Sequence, residues 1–234
     1  MNKPIWHRHT QPAAMVAAAS AAITTLIGDA LTARGHALLA LPGGRTPEPI
    51  FERLAAANLD WSRVTLLPTD DRLVDVNDPL SNAALLKRHF AARGARIVPL
   101  VADPNMSPLR AGDDADARLQ SLPWPLDLAW LGVGSDGHTA SIFPGPDLDA
   151  ALTAPLPRRA VGVRPEPLPP EAPVARVSLT MNTLCTARHL LLTLTGHDKL
   201  KVIEQALDAE PSPQPVGHLL QHAKNPTTIY WSAS

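Results

Sequence analysis

The sequence predicts an α/β fold, a Rossmann-like and mostly parallel twisted sheet with helices on both faces. Three observations support this prediction. Short apolar runs of strand length alternate along the chain with stretches whose apolar residues recur at helical spacing. Several strand-like runs are continuously apolar rather than alternating, which is typical of strands buried on both faces. Glycine-rich turns follow two of these runs directly.

The composition bounds the fold and the class of partner. With 234 residues, 45% of them hydrophobic, the chain can bury a large core, and we expect residues 1–234 to form a single domain. The net charge of −1 gives no global attraction to nucleic acid or to an acidic membrane. The single cysteine, Cys185, excludes an internal disulfide framework and a cysteine-rich zinc site. We therefore expect a cytoplasmic protein, a monomer or a weak homodimer.

The uncharged stretch from His9 to Gly28 must be distinguished from a signal or membrane segment. It is mostly alanine with polar interruptions, and it falls short of the roughly 20 strongly apolar residues that a spanning helix needs. Its apolar residues follow helical spacing instead, which predicts a buried or amphipathic helix ending at Gly35. A signal peptide is the alternative interpretation.

The remaining elements follow from the same two patterns, apolar runs for strands and helical spacing for helices. Strands are predicted at 37–41, 64–67, 97–100, 126–131, 160–163, 175–179, 190–194 and 227–231. Helices are predicted from Pro47 onward and at 83–90, 111–122, 196–207 and 216–222. The proline-rich residues 155–173 predict an irregular surface loop around one short strand.

The strand at 37–41 runs into a glycine turn that contains Gly43, Gly44 and Arg45. Thr46 is a good helix N-cap, and Pro47 suits the first position of the helix that follows. A strand, a glycine turn and a helix start together offer free backbone N–H groups to an anion.

The most informative stretch runs from Leu131 to Gly145, directly after the strand at 126–131. Its glycines let the backbone approach a ligand closely. The turn places Asp136 and His138 at the carboxyl end of the strand, where open α/β sheets bind ligands. An imidazole can take a proton from water near neutral pH, and a carboxylate two residues away can orient the ring. This combination predicts acid–base chemistry.

One glycine pattern and one histidine pattern allow other interpretations, a dinucleotide site and a metal site. Residues Gly132 to Gly137 match G-x-G-x-x-G, a dinucleotide fingerprint that should open a long helix and be followed about 20 residues later by an acid. Here the Pro-Gly-Pro at 144–146 would end such a helix, and Leu152 stands at that offset. His218 and His222, at i and i+4, could share a metal, but no third ligand is evident. We therefore predict no metal.

Three cationic residues follow strand ends or open helices. Arg45 lies in the first glycine turn, Arg72 follows the strand at 64–67, and Lys199 opens the helix at 196–207. In a parallel sheet these points can converge on the edge that carries His138. Such a group of cations is typical of a phosphate clamp. The sequence therefore predicts a small, phosphorylated ligand.

Five stretches of the chain resemble the 6-phosphogluconolactonase family, in order and spacing over nearly the whole length. They are residues 41–47, residues 70–74 with Ser81 and Asn82, residues 131–145, residues 176–180 and residues 196–199. The run Asp-Gly-His-Thr-Ala-Ser-Ile-Phe-Pro-Gly is highly specific. The resemblance implies a Rossmann-like fold and cofactor-free hydrolysis of 6-phosphoglucono-1,5-lactone to 6-phosphogluconate in the pentose phosphate pathway, with His138 as general base. The chain departs from the family pattern at Arg45, where many relatives carry serine, and at Asp71, where many carry glutamate.

The chemistry of lactone hydrolysis gives each candidate residue an expected role. His138 would activate a water that attacks C1, with Asp136 steadying the ring. Backbone amides of the glycine turn would stabilise the oxyanion. The residues expected to bind the substrate and its phosphate are Gly43, Gly44, Arg45, Thr46, Asp70, Arg72, Ser81, Asn82, Gly134, Gly137 and Lys199.

Two other functions compete with the hydrolase. A sugar-phosphate isomerase or deaminase of the same superfamily would need a second acid–base group beside His138, and relatives of that kind carry an acidic residue in the same loop. Residues 139–146 contain none. A non-catalytic sugar-phosphate sensor would use Arg72 and Lys199 but would have no use for the pair of Asp136 and His138.

Overall fold

A computed structural model describes residues 3–233 and confirms the predicted α/β fold. The strands are β1 (Ile5–His9), β2 (Ala37–Leu41), β3 (Val64–Pro68), β4 (Asp70–Arg72), β5 (Arg96–Ile97), β6 (Leu128–Leu131), β7 (Ala160–Val163), β8 (Arg176–Leu179), β9 (Leu190–Thr195) and β10 (Thr227–Ser232). The helices are α1 (Pro12–Arg34), α2 (Glu48–Ala55), α3 (Asn82–Phe90), α4 (Pro108–Leu119), α5 (Leu148–Thr153), α6 (Met181–Cys185), α7 (His197–Asp208) and α8 (Pro215–His222). Two 3₁₀ turns lie at Trp61–Arg63 and Ala91–Arg93.

Seven strands form a parallel sheet in the order β1-β10-β9-β6-β2-β3-β5. From β2 the chain proceeds outward through β3 and β5, then returns to place β6 on the other side of β2. The strand order therefore reverses between β2 and β6. In open α/β sheets the crevice outside the carboxyl ends of the strands at such a point is the usual ligand site. The two glycine-rich turns follow these two strands.

The sheet separates two hydrophobic cores, because successive side chains of a strand point to opposite faces. Leu39 and Leu41 of β2 pack with α1, α2 and α3 in one core. Leu38 and Ala40 pack with α4, α7 and α8 in the other. Both faces of β2 are fully buried, which explains why its sequence is continuously apolar rather than alternating.

The second sheet was not predicted. Strands β4, β8 and β7 form a small antiparallel sheet in the order β4-β8-β7. The strands predicted at 160–163 and 175–179 therefore exist, but they belong to this sheet and not to the parallel one. Strands β1 and β4 and helices α5 and α6 were also missed, since each is six residues or fewer and short elements carry little periodicity.

Several predicted bounds were wrong for local reasons. The strand expected at 97–100 is only Arg96–Ile97, and Pro99 beyond it cannot donate to a ladder. The helix expected at 111–122 begins at Pro108, which follows the N-cap Ser107, and ends at Leu119. Thr46 does not cap α2, because Pro47 occupies the N-cap position and no side-chain cap bond forms.

Helix α1 ends at Gly35 as predicted, in a left-handed C-cap with φ of 77°. By length and composition it is apolar enough to cross a membrane, so the sequence-based judgement that it is too weakly apolar was wrong. One face is nevertheless packed in the core beneath the sheet, through Met15, Ala19, Ile23 and Ile27. This burial is the pattern of a core helix.

Helix α4 packs on β7 through two glycines, and this contact gives a stability prediction. A Cβ on Gly112 would overlap the backbone nitrogen of Gly162, and a Cβ on Gly162 would overlap the carbonyl of Pro108. We expect Gly112→Ala and Gly162→Ala each to lower the free energy of unfolding by about 1–3 kcal/mol or more, because backbone cannot move aside cheaply. Urea denaturation measures the effect.

The matched control is Gly28→Ala, which places a methyl group where no atom lies within 4 Å in the middle of α1. This change should be neutral or stabilising by up to about 1 kcal/mol, because alanine favours the helix. If Gly112→Ala were as stable as Gly28→Ala, the packing explanation would be wrong.

Candidate active site

A cleft opens outside the carboxyl ends of β2 and β6, at the point where the strand order reverses. It has a volume of about 300 Å³. Most of the predicted site residues line it, namely Gly43, Gly44, Arg45, Thr46, Asp70, Arg72, Asn82, Gly134, His138 and Lys199. The fold thus brings the predicted cationic residues to the edge of the sheet that carries His138.

His138 and Asp136 form a tight pair beside this cleft. The ring nitrogen Nδ1 lies 2.6 Å from Asp136 Oδ1, and the backbone N–H of His138 donates to the same oxygen at 3.1 Å. The hydrogen bond from His138 lowers the pKa of Asp136, so this carboxylate stays ionised. With Nδ1–H directed at the carboxylate, Nε2 of the neutral ring is the nitrogen that can accept a proton.

The turn that carries this pair is closed by its own backbone. Gly134 N–H donates to His138 O at 2.9 Å, and Gly137 N–H donates to Gly134 O at 3.1 Å. A side chain at Gly134 would overlap the imidazole and the Asp136 carboxylate, so a glycine is required there. Both N–H groups are used inside the turn, so neither is free to donate to a ligand.

Gly137 has a conformational role in this turn. Its φ of +81° lies in the left-handed region, which glycine adopts without strain. Gln214 packs against its free face, and Gly137 O accepts the N–H of Val216 at 2.9 Å. The residue therefore anchors the His138 turn to the start of α8 and does not line the cleft described above.

The first glycine turn leaves its backbone donors available. Among the described residues, none accepts a hydrogen bond from the N–H groups of Gly44, Arg45 or Thr46. Gly44 has φ of +89°, which turns the chain at the cleft rim. Arg45 and Thr46 are exposed there. These three N–H groups are therefore available to a ligand, although Thr46 is not the helix cap.

Arg72 is held by protein groups on one side of its guanidinium. Nη1 donates to Asn82 Oδ1 at 2.5 Å and to Leu80 O at 3.1 Å. Asn82 in turn donates from Nδ2 to Asp70 O at 2.7 Å. Nε of Arg72 is buried and donates to no described residue. Asn82 therefore orients Arg72, and its own polar atoms are already occupied.

Ser81 was predicted to bind substrate, but its contacts in the structure are with protein groups. It is buried and lies outside the cleft lining. Its Oγ caps α3 by accepting the N–H of Ala84 at 3.2 Å, as expected of serine at an N-cap. The same hydroxyl donates to Asp71 Oδ2 at 3.1 Å.

Asp70 forms part of the cleft wall but is largely buried. Its carboxylate accepts hydrogen bonds from Thr69 Oγ1 at 3.1 Å and from Ser141 Oγ at 2.5 Å. Ser141 follows the His138 turn, and its N–H donates to Ser178 Oγ of β8 at 3.2 Å. This network ties the turn to the small antiparallel sheet.

Arg176 is a cleft residue that sequence reasoning missed. It lies directly opposite Arg72 in the β4–β8 pairing, and it is only 3% exposed. Nη2 donates to Ala172 O at 3.1 Å, but Nε donates to no described residue, and burial lowers the pKa of the guanidinium. Like charges directly opposite in a sheet are destabilising. The available signals were the arginine at the start of this buried strand and its place in the family-like stretch at 176–180.

Lys199 completes the set of cations. It lies in the first turn of α7 and lines the cleft. No carboxylate of the described residues lies within 4 Å of its ammonium group, and burial lowers the pKa of this group. Arg45, Arg72, Arg176 and Lys199 thus bring four positive charges to one cleft, against the two carboxylates of Asp70 and Glu171.

Comparison with known proteins decides the family. The family model described as glucosamine-6-phosphate isomerases/6-phosphogluconolactonase matches residues 10–231. The chain is 34% identical to a 6-phosphogluconolactonase of Mesorhizobium japonicum over 97% of this chain and 94% of that protein. It is 39% identical to a 6-phosphogluconolactonase of Pseudomonas putida over 86% of this chain and 82% of that protein. The chain belongs to the 6-phosphogluconolactonase family.

The fold of this family member agrees with its solved relatives. The crystal structure of a 6-phosphogluconolactonase from Shewanella baltica superposes with a TM-score of 0.89 at 30% identity, covering 99% of this chain and 98% of that one. A structure of the enzyme from Trypanosoma brucei has a TM-score of 0.85 at 24% identity, with coverage of 99% and 97%. At that identity the second comparison supports the fold alone.

The competing interpretations do not fit this family member. The turn at Gly132–Gly137 opens no helix, because an isolated bridge joins Thr139 to Ile142 and α5 begins only at Leu148. A dinucleotide fingerprint requires that helix. The rings of His218 and His222 stack with centroids 3.9 Å apart. The described residues contain no group of three or more histidines, cysteines or carboxylates placed to hold a metal.

Proposed function

We propose that this protein is a 6-phosphogluconolactonase, which hydrolyses 6-phospho-D-glucono-1,5-lactone to 6-phospho-D-gluconate in the pentose phosphate pathway. The observation that carries the proposal is one cleft with a histidine–aspartate pair and several unpaired cations. Full-length similarity to proteins named 6-phosphogluconolactonase supports the choice of substrate. No cofactor is needed, since a lactone is an ester already reactive toward water.

His138 is the general base of the proposed reaction. Its Nε2 removes a proton from a water molecule while that water attacks C1 of the lactone. The Asp136 carboxylate, 2.6 Å from Nδ1, holds the required tautomer and stabilises the imidazolium that forms. The imidazolium then returns the proton to the ring oxygen as the C1–O bond breaks. The products are the free acid and a regenerated neutral histidine.

The cations of the cleft hold the 6-phosphate. Arg72 and Arg176 lie side by side in the cleft lining, and no carboxylate of the described residues lies within 4 Å of either guanidinium group. A phosphate bound beside them accepts charge-assisted hydrogen bonds and offsets the repulsion of the two guanidinium groups. Lys199 and the amides at Gly44 and Arg45 add further donors. Fixing the phosphate in this way fixes the distance of C1 from His138.

A direct assay tests the proposed function. The protein is added to freshly prepared 6-phosphogluconolactone in weak buffer, and proton release is followed above the spontaneous rate. We expect rapid release that stops at one proton for each lactone. The same protein is incubated with glucosamine 6-phosphate and tested for ammonia. Ammonia without lactone hydrolysis would replace our proposal with a deaminase.

A further inference from the structure

A buried carboxylate lies behind the cleft without lining it. Asp71 is 1% exposed, and its two oxygens accept four hydrogen bonds. Oδ1 accepts from the backbone N–H of Arg72 at 2.9 Å and of Asn82 at 2.6 Å. Oδ2 accepts from Ser81 Oγ and from the N–H of Ala83, both at 3.1 Å. A single side chain thus joins β4 to the first turn of α3.

Both elements joined by Asp71 carry parts of the cleft. Strand β4 carries Arg72, and the first residue of α3 is Asn82, which accepts the Arg72 Nη1 hydrogen at 2.5 Å. The glycine turn also rests on this junction, since a side chain at Gly43 would overlap Asn82. The position of the Asp71 carboxylate therefore determines where three parts of the cleft wall lie.

Stability alone does not explain a carboxylate at this position. Burial raises the pKa of Asp71 to about 6, so ionisation in this environment is costly even with four donors. A well-packed apolar side chain is often at least as stabilising as a buried charge. The four hydrogen bonds instead specify geometry, because they fix the relative position of β4 and α3.

We propose that Asp71 is a positioning residue that acts through Asn82 to hold the Arg72 guanidinium ready for the substrate phosphate. Asn82 and Leu80 O hold Nη1, which fixes the guanidinium group in the cleft lining. Without this support the arginine must be ordered when the ligand binds, at a cost in affinity. The inference rests on the proposed phosphate-binding role of the cleft.

Sulfate is the probe for this inference, because it remains a dianion over the working pH range and requires no turnover. Its dissociation constant is measured by NMR titration for wild type, Asp71→Asn and Asn82→Ala, and for each change combined with Arg72→Met. We expect Asp71→Asn and Asn82→Ala each to weaken sulfate binding about tenfold, the equivalent of one hydrogen bond to a charged group. In the Arg72→Met background, neither change should weaken sulfate binding further. The effects of residues that act through one another are not additive.

Asp127→Asn is the matched control. Asp127 is also a buried aspartate that accepts a backbone N–H, that of Leu38 at 2.9 Å, but it lies at the opposite end of the sheet. This variant should lose stability and keep the wild-type sulfate affinity. Asp71→Glu, which retains the carboxylate, should bind sulfate more tightly than Asp71→Asn.

The outcomes separate the inference from the proposed function. If wild type binds sulfate but Asp71→Asn and Asn82→Ala bind it equally well, the positioning role is wrong and the proposed function stands. The positioning role would also be wrong if Asp71→Asn weakened sulfate binding equally in the wild-type and Arg72→Met backgrounds. Asp71 would then affect binding without acting through Arg72. If wild type binds no sulfate, the proposed anion site itself fails.

Discussion

Replacing His138 with alanine should lower kcat for lactone hydrolysis by about 10²–10⁴-fold, the usual contribution of a general base. The reason is that His138 is the only imidazole among the described residues that line the cleft, so the change removes the group that accepts the proton of the attacking water. KM should change little, because the phosphate contacts come from other parts of the chain. Initial rates of proton release, corrected for spontaneous hydrolysis, measure both constants.

Two further variants sharpen this experiment. Asp136→Asn keeps the size of the residue but removes the charge that supports the imidazolium and fixes its tautomer. It should therefore also lower kcat, with KM near its original value. His222→Ala removes an exposed histidine outside the cleft and should have no effect. Unchanged turnover in the His138 variant would reject the proposed mechanism.

The position of the site could be predicted from the sequence because it depends only on which strands of a parallel sheet are followed by a glycine-rich turn. Glycine-rich turns after β2 and β6, together with a parallel sheet, are enough to place Gly44 and His138 at the same edge. The contact between His138 and Asp136 was also predictable, since a spacing of two residues in a tight turn leaves the side chains little choice. The composition of the turns and the rule that ligands bind at the carboxyl ends of parallel strands are therefore enough to predict this part of the site.

Long-range pairing explains what the sequence did not reveal. Arg176 lies 104 positions after Arg72 in the numbering, and only the antiparallel register of β4 and β8 makes them neighbours. Strand β4 has three residues, too few for a periodic pattern. The use of Gly134 and Gly137 amides within the turn was equally hidden, because it depends on backbone hydrogen bonds and not on residue type.

The pairing of two arginines gives the second large prediction. Arg176→Met and Arg72→Met should each raise KM for the lactone by about 10-fold or more, since a hydrogen bond to a charged group contributes about 1.5–3 kcal/mol. The value of kcat should fall less than KM rises, because the proton transfer at His138 is unaffected. Arg63→Met is the control, as Arg63 is exposed, pairs with Asp60 and precedes β3 at the other end of the sheet.

Stability in the absence of ligand distinguishes a binding role for Arg176 from a structural one. Its guanidinium is buried, faces a second arginine and leaves Nε unsatisfied, although it also donates to Ala172 O and lies over the Phe143 ring. Methionine of similar length, which packs on the same ring, should therefore leave the Tm of the free protein near its wild-type value. Phosphate should raise the Tm of wild type more than that of Arg176→Met, because at equal concentration the ligand that binds more tightly stabilises the folded state more. A variant that unfolds more readily and still responds fully to phosphate would mean that Arg176 supports the fold and not the substrate. The opposed arginines would then be a packing feature, and the phosphate would have to be held by Lys199 and the glycine turn.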